Sequence, residues 1–135
     1  MSEPVIIEQG LLQLFKSFTD VVAMTTLCGI YLNVVPQGAH DPCLLISKVS
    51  ATPDATLDGP SGYNIRRYQF TFFSKDFPTA LKLQEIVRVD FDGYVGVLPN
   101  GTKVWNVIRD NEIDGYDDQT AWHHTITDYF IHFAE

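Results

Sequence analysis

Apolar residues recur along this chain with two periods, and the change from one to the other marks out its elements. Ile7, Leu11, Leu14, Phe15, Phe18 and Val22 keep the spacing of one helical face, so residues 4–23 are predicted to form an amphipathic helix despite Gly10, with Ser2 as cap and Glu3 and Pro4 in the first turn. Residues 29–35 (GIYLNVV) and 43–49 (CLLISKV) read as two short strands separated by the punctuated loop PQGAHDP. From Arg67 the period becomes two. Tyr68, Phe70 and Phe72 alternate with Arg67, Gln69 and Thr71, so residues 63–74 form a strand that buries one side. The preceding residues 50–62 are rich in Ser, Thr, Pro, Asp, Gly and Ala, and are expected to form a long exposed loop.

Ala80, Leu83, Val87 and Phe91 then trace a second helix, capped by Ser74 or Asp76, with Pro78 in its first turn and Gly93 as a left-handed terminator. Residues 94–98 and 102–110 flank Pro99-Asn100-Gly101 as a hairpin around an Asn-Gly turn. A second loop is expected over residues 110–119. The closing strand, residues 122–133, has Trp122, His124 and Ile126 on one side but Tyr129, Ile131 and Phe133 on the other, which a bulge near Thr127 or Asp128 would reconcile. The order α-β-β-β-α-β-β-β implies an α+β fold: a single mostly antiparallel sheet with two helices packed on one face. Its 135 residues form one domain, 1–135, large enough for a core without metal or disulfide.

Charge narrows the possible partners. Nine basic residues against seventeen acidic ones give a formal charge of −8, which argues against a nucleic-acid backbone binder; only Arg66 and Arg67 are adjacent cations. Cys28 and Cys43 lack metal-ligand spacing and read as reduced thiols. With neither a signal peptide nor a membrane span indicated, the expectation is a soluble chain made in a cytoplasm.

No constellation for chemistry emerges. His124 and His132 share a strand face but lie about 27 Å apart along it, and His123 points the other way. The segments DFDG and DGYDD lack the spacing and terminal Glu of a calcium loop. No serine or cysteine has nucleophile context, and the glycines of Asp58-Gly59-Pro60-Ser61-Gly62 form no phosphate cradle. The expectation is a protein that is not an enzyme, with no cofactor and no metal, whose polar loops order on partners.

Taken in order, Gly29-Ile30-Tyr31, Val35-Pro36-Gln37-Gly38-Ala39, Pro42, Val49-Ser50, Thr56-Leu57-Asp58-Gly59-Pro60-Ser61-Gly62, Arg67-Tyr68-Gln69, the 80–87 helix, Asp92-Gly93-Tyr94 and Asp128-Tyr129 resemble the tail-completion, or tail-to-head joining, proteins of long-tailed bacteriophages and prophages. His132 and the long 110–120 segment depart from that pattern. The resemblance implies a non-enzymatic, tail-terminator-like subunit in a ring, usually a hexamer. Such a ring caps the tail tube protein, meets the head-tail connector or stopper protein, and lets DNA pass without specific binding. It would sit in the virion, at the head-tail interface, after assembly in the host bacterial cytoplasm.

On that basis the interface candidates are Thr56, Leu57, Asp58, Gly59, Pro60, Ser61 and Gly62, with Arg66 and Arg67 beside them. Either arginine is solvated charge or pairs with acids of an adjacent subunit. The candidates for an acidic lumen are Asp110, Glu112, Asp114, Asp117 and Asp118. A prophage-encoded soluble protein-binding module outside the virion is the alternative.

Overall fold

The computed structural model describes residues 6–18, 29–33, 41–56 and 59–134. In chain order these form α1 (Ile7–Ser17), β1 (Ile30–Leu32), β2 (Cys43–Thr56), β3 (Gly59–Ser74), α2 (Phe77–Phe91), β4 (Gly96–Val97), β5 (Lys103–Asp117) and β6 (Trp122–Ala134). The fold is α+β. Its six strands lie in one sheet, ordered β1-β2-β3-β6-β5-β4. The sheet is mixed rather than antiparallel throughout, because β1 runs parallel to β2 while the other pairings are antiparallel.

Both helices bury their apolar faces against the same side of the sheet. Ile7, Leu11, Leu14 and Phe15 of α1 join Leu83, Val87 and Phe91 of α2 and the inward residues Tyr68, Phe70, Phe72, Tyr129, Ile131 and Phe133 in one hydrophobic cluster. Its centre is aromatic. Phe15 meets Phe70 edge-on at 5.4 Å and Phe91 at 4.9 Å, and Phe91 meets Tyr129 at 5.3 Å, geometries in which ring edges face ring faces.

The first helix is shorter than its periodicity suggests. Ile6 and Phe18 are both extended, so it runs from Ile7 to Ser17 instead of across residues 4–23. Ser2, Glu3, Pro4, Val22 and Cys28 lie outside the described residues, as do the end of the 29–35 strand and most of the loop after it.

The second helix starts after Asp76, whose carboxylate accepts the Thr79 hydroxyl at 2.6 Å, while Ser74 Oγ accepts the Asp76 amide at 3.1 Å. It ends as the sequence implies. Gly93 takes φ +77° and its amide donates to Val107 O at 2.8 Å, tying the helix end to β5. At the Asn-Gly turn Gly101 has φ +94°, and the Gly101 amide donates to Leu98 O.

Three expectations need correction. Residues 50–62 are not a loop: β2 and β3 continue as a hairpin ribbon, paired from Ser50 opposite Arg67 to Thr56 opposite Gly59 with one shift of register on the way. Cross-strand pairing overrides the weak strand propensity of this polar stretch. Residues 110–119 are likewise mostly strand, since β5 runs to Asp117 and turns only over residues 118–121, closed by the Ala121 amide on Asp117 O.

The third correction concerns β6, which has no bulge. Thr125, Thr127, Tyr129, Ile131 and Phe133 are buried in strict alternation, so two inward threonines extend the face that the aromatic residues mark. The register shifts fall on its partner β5 instead, between Val104 and Asn106 and between Arg109 and Glu112; in the β2–β3 pair one falls on β2 between Lys48 and Ser50 and one on β3 between Pro60 and Asn64. Each extra residue bends and twists its strand.

Candidate interaction surfaces

The hairpin ribbon is the first surface. Tyr63 pairs with Ala134 at the end of β6, so residues 59–62 have no strand beside them other than β2 among the described residues. A two-stranded ribbon gains little stability by itself, which makes an extension beyond the sheet a segment suited to rest on something else. Thr56, Gly59, Pro60, Ser61 and Gly62 form the backbone of its end. Leu57 and Asp58 lie outside the described residues.

The two arginines at the ribbon's base point to opposite faces, as alternation requires, and each is engaged within the chain. Arg66 lies 3.4 Å from Glu8 of α1 and 5.0 Å over the Phe133 ring. Arg67 bonds Asp128, lies 3.5 Å from Asp110, and stands 5.5 Å over the Phe130 ring. The Asp128 hydrogen bond and charge hold the Arg67 guanidinium above its ordinary range.

The five carboxylates proposed for one acidic surface do not gather on one face. Glu112 and Asp114 pair with Thr127 and Thr125, the buried threonines of the helix-facing side, whereas Asp117 pairs with Trp122 on the other side. Asp110 reaches Arg67, and Glu112 accepts from Arg109 at 3.0 Å. Asp117 holds the hairpin turn, accepting the Gln119 amide at 2.9 Å; that bond lowers its pKa below the usual carboxylate value. Asp118 is exposed in the turn itself.

His123 and His124 pack against rings. His123 lies 4.5 Å from Tyr116 and 5.3 Å from Phe77, and His124 lies 6.0 Å from Phe73. Among the described residues no three His, Cys, Asp or Glu side chains are grouped to hold a metal ion, and no helix is long and apolar enough to cross a membrane. A cleft of about 300 Å³ beside α1 is lined by Ile7, Arg66, Asn100 and Phe133 among others. Of its two charged residues, Arg66 and Lys103, Arg66 is already paired with Glu8.

Sequence reasoning missed the sheet edges. Beyond the three residues paired with β1, and beyond the two paired with β4, the outer edges of β2 and β5 carry no further strand among the described residues. Exposed apolar side chains stand on both strands: Val49 on β2, and Ile108, Ile113 and Tyr116 on β5. Ile113 in a run of carboxylates was the one available signal.

The fold has a counterpart in a virion. A chain in the structure described as "Virion of native gene transfer agent (GTA) particle" superposes with a TM-score of 0.74 at 12% identity, over 93% of this chain and 92% of that one. A second solved structure matches with a TM-score of 0.61, also at 12% identity, over 98% of both chains. At such identities the likeness is one of fold. No family model matches the sequence, and no curated protein matches it.

Proposed function

We propose that this protein is a structural component of a phage-like virion: copies assemble into a ring, a hexamer in this reading, that caps the tail tube and joins the tail to the head-tail connector. The observation that supports it most is the near full-length fold likeness to a chain of a gene transfer agent virion. The reading gives the protein no catalysis and no cofactor. Its work is to present surfaces. The ribbon end, Thr56 to Gly62, contacts the neighbouring copy, the tube or the connector, because a bare ribbon has little to hold it otherwise.

DNA passes through the ring without specific binding. A chain with net charge −8 offers a phosphate backbone repulsion rather than adhesion. Because strand alternation divides the carboxylates, the helix-free face directs Asp110 and Asp117 toward the DNA path, not all five acids.

A nonsense mutation in this gene, examined by electron microscopy of the lysate, tests the reading. DNA-filled heads beside unattached tails are expected. Intact infectious particles would refute it and leave a binding module outside the virion. Deleting residues 51–61 tests the ribbon separately, and normal joining would remove its assigned role.

A further inference from the structure

Among the described residues the sheet leaves half of each outer edge open, and the two open halves lie at opposite ends. β1 covers β2 at residues 44–46, at the end of the sheet near Ser74 and His123. β4 covers β5 at residues 103–104, at the end near Tyr63 and Ala134. Next to it the α2 terminus occupies the same edge: the Gly93 amide donates to Val107 O, and the Arg109 amide donates to Asp92 Oδ1. What stays open among the described residues is therefore residues 47–56 of β2 and residues 110–117 of β5.

We infer that these two half-edges pair with each other between copies, β5 of one chain adding to β2 of the next. The inference deepens the ring reading by naming its seam, and rests on it. Direction permits the pairing. Strands alternate through β2, β3, β6 and β5, so β2 and β5 run oppositely, and a copy placed beside its neighbour in the same orientation brings them together antiparallel.

Charge weighs against the pairing of two β5 edges. Residues 110–117 carry Asp110, Glu112, Asp114 and Asp117; Arg67 and Arg109 engage the first two, and Asp114 and Asp117 keep the edge acidic, so two β5 edges repel. Residues 47–56 hold one Lys48 and one Asp54, and a near-neutral edge accepts the acidic one. Val49 on one strand and Ile113 on the other, both about half exposed, supply apolar side chains at the seam. The acidic side chains themselves stay on the sheet faces while the backbones pair.

The geometry also fits closure. The middle of the β2 opening lies level with Val107 of β5, about six residues from the middle of the β5 opening, so neighbours are offset by about 20 Å along the strands. The four strands β2, β3, β6 and β5 span about 19 Å across. Those two lengths give a strand tilt near 45°, close to the roughly 35–45° at which closed sheets stagger.

Hydrogen exchange, compared between the dilute free chain and the protein in purified particles, reads the seam directly. Peptides from 47–52 and from 110–117 are expected to slow together by about 100-fold as open amides enter a ladder. Residues 103–109, already covered, should change little. Pro53 has no amide and interrupts the protected block on β2. Slowing of 47–56 alone means that two β2 edges meet, and overturns the proposal. Slowing of neither edge, in particles that contain the chain in multiple copies, overturns the seam while the ring stands. Absence of the chain from particles removes both.

Discussion

Gly10 offers a test in which local propensity and tertiary structure predict opposite signs. Glycine in a helix interior costs about 0.5–1 kcal/mol relative to alanine, so Gly10→Ala would stabilise an isolated α1. In the folded protein a methyl at this position would overlap Asn100 Oδ1 and lie 2.7 Å from its Cγ. Asn100 cannot move without loss. Its Nδ2 donates to Ile6 O at 2.8 Å, holding the start of α1, and its Oδ1 accepts the Thr102 amide at 3.2 Å, shaping the Asn-Gly turn.

Two hydrogen bonds at about 0.5–1.5 kcal/mol each outweigh the propensity gain, leaving a net loss of about 1 kcal/mol. For a domain of this size that is a fall in Tm of about 4 °C. Calorimetry on Gly10→Ala, on Asn100→Ala and on the double variant completes the cycle. Once Asn100 is gone, Gly10→Ala should raise stability by about 0.5–1 kcal/mol. A rise in Tm for Gly10→Ala in the otherwise wild-type chain would refute the argument.

Other substitutions and conditions have defined outcomes. Gln84 Nε2 donates to Thr127 Oγ1 at 2.7 Å in the core, so Gln84→Leu should cost about 1–3 kcal/mol by denaturant titration, and adding Thr127→Val should recover most of it. Gly93→Ala places a methyl on a backbone at φ +77° and should lower stability by about 1 kcal/mol, as read by thermal melting. The Cys43 thiol is pushed up to about 12, mainly by burial and then by Asp41. Burial likewise raises the Tyr68 and Tyr129 phenols. All three ionise more readily in the unfolded chain, so stability is full below about pH 9 and falls as pH rises toward 12, by up to about 1.4 kcal/mol per unit for the thiol alone. In a Cys28→Ser background Cys43 should resist thiol reagents at pH 8, and stoichiometric labelling without unfolding would contradict its burial.

The sequence exposed those parts of the fold where one side chain type carries one meaning. Tyr68, Phe70 and Phe72 alternating with polar residues define β3 because only a half-buried strand satisfies them, and Gly93 marks the end of α2 because the backbone there needs a positive φ. The ribbon was hidden because Ser, Thr, Pro and Gly describe a loop and a solvent-facing hairpin equally well. The pairing of Thr56 with Gly59 is a property of two strands, and neither shows it alone. In β5 the carboxylates resembled a solvated loop, although acids on an open edge are a common way of keeping a strand from aggregating. The opposite orientations of Arg66 and Arg67 were legible from parity. Their partners Glu8, Asp110 and Asp128 lie 43 or more positions away in the chain and were not.

The bond between Gln84 and Thr127 has a meaning beyond its strength. β6 carries Trp122, Ile126 and Phe130 on one face and Tyr129, Ile131 and Phe133 on the other, so hydrophobicity by itself tells its two sides apart only weakly. A one-residue slip would turn either set inward. In the native alignment Thr127 places its hydroxyl under the Gln84 amide, and a one-residue slip would put Ile126 or Asp128 there instead. The pair therefore weighs against the slip that would exchange the two faces. Chains with both residues made apolar should then melt at nearly the native temperature yet show doubled backbone resonances along β6.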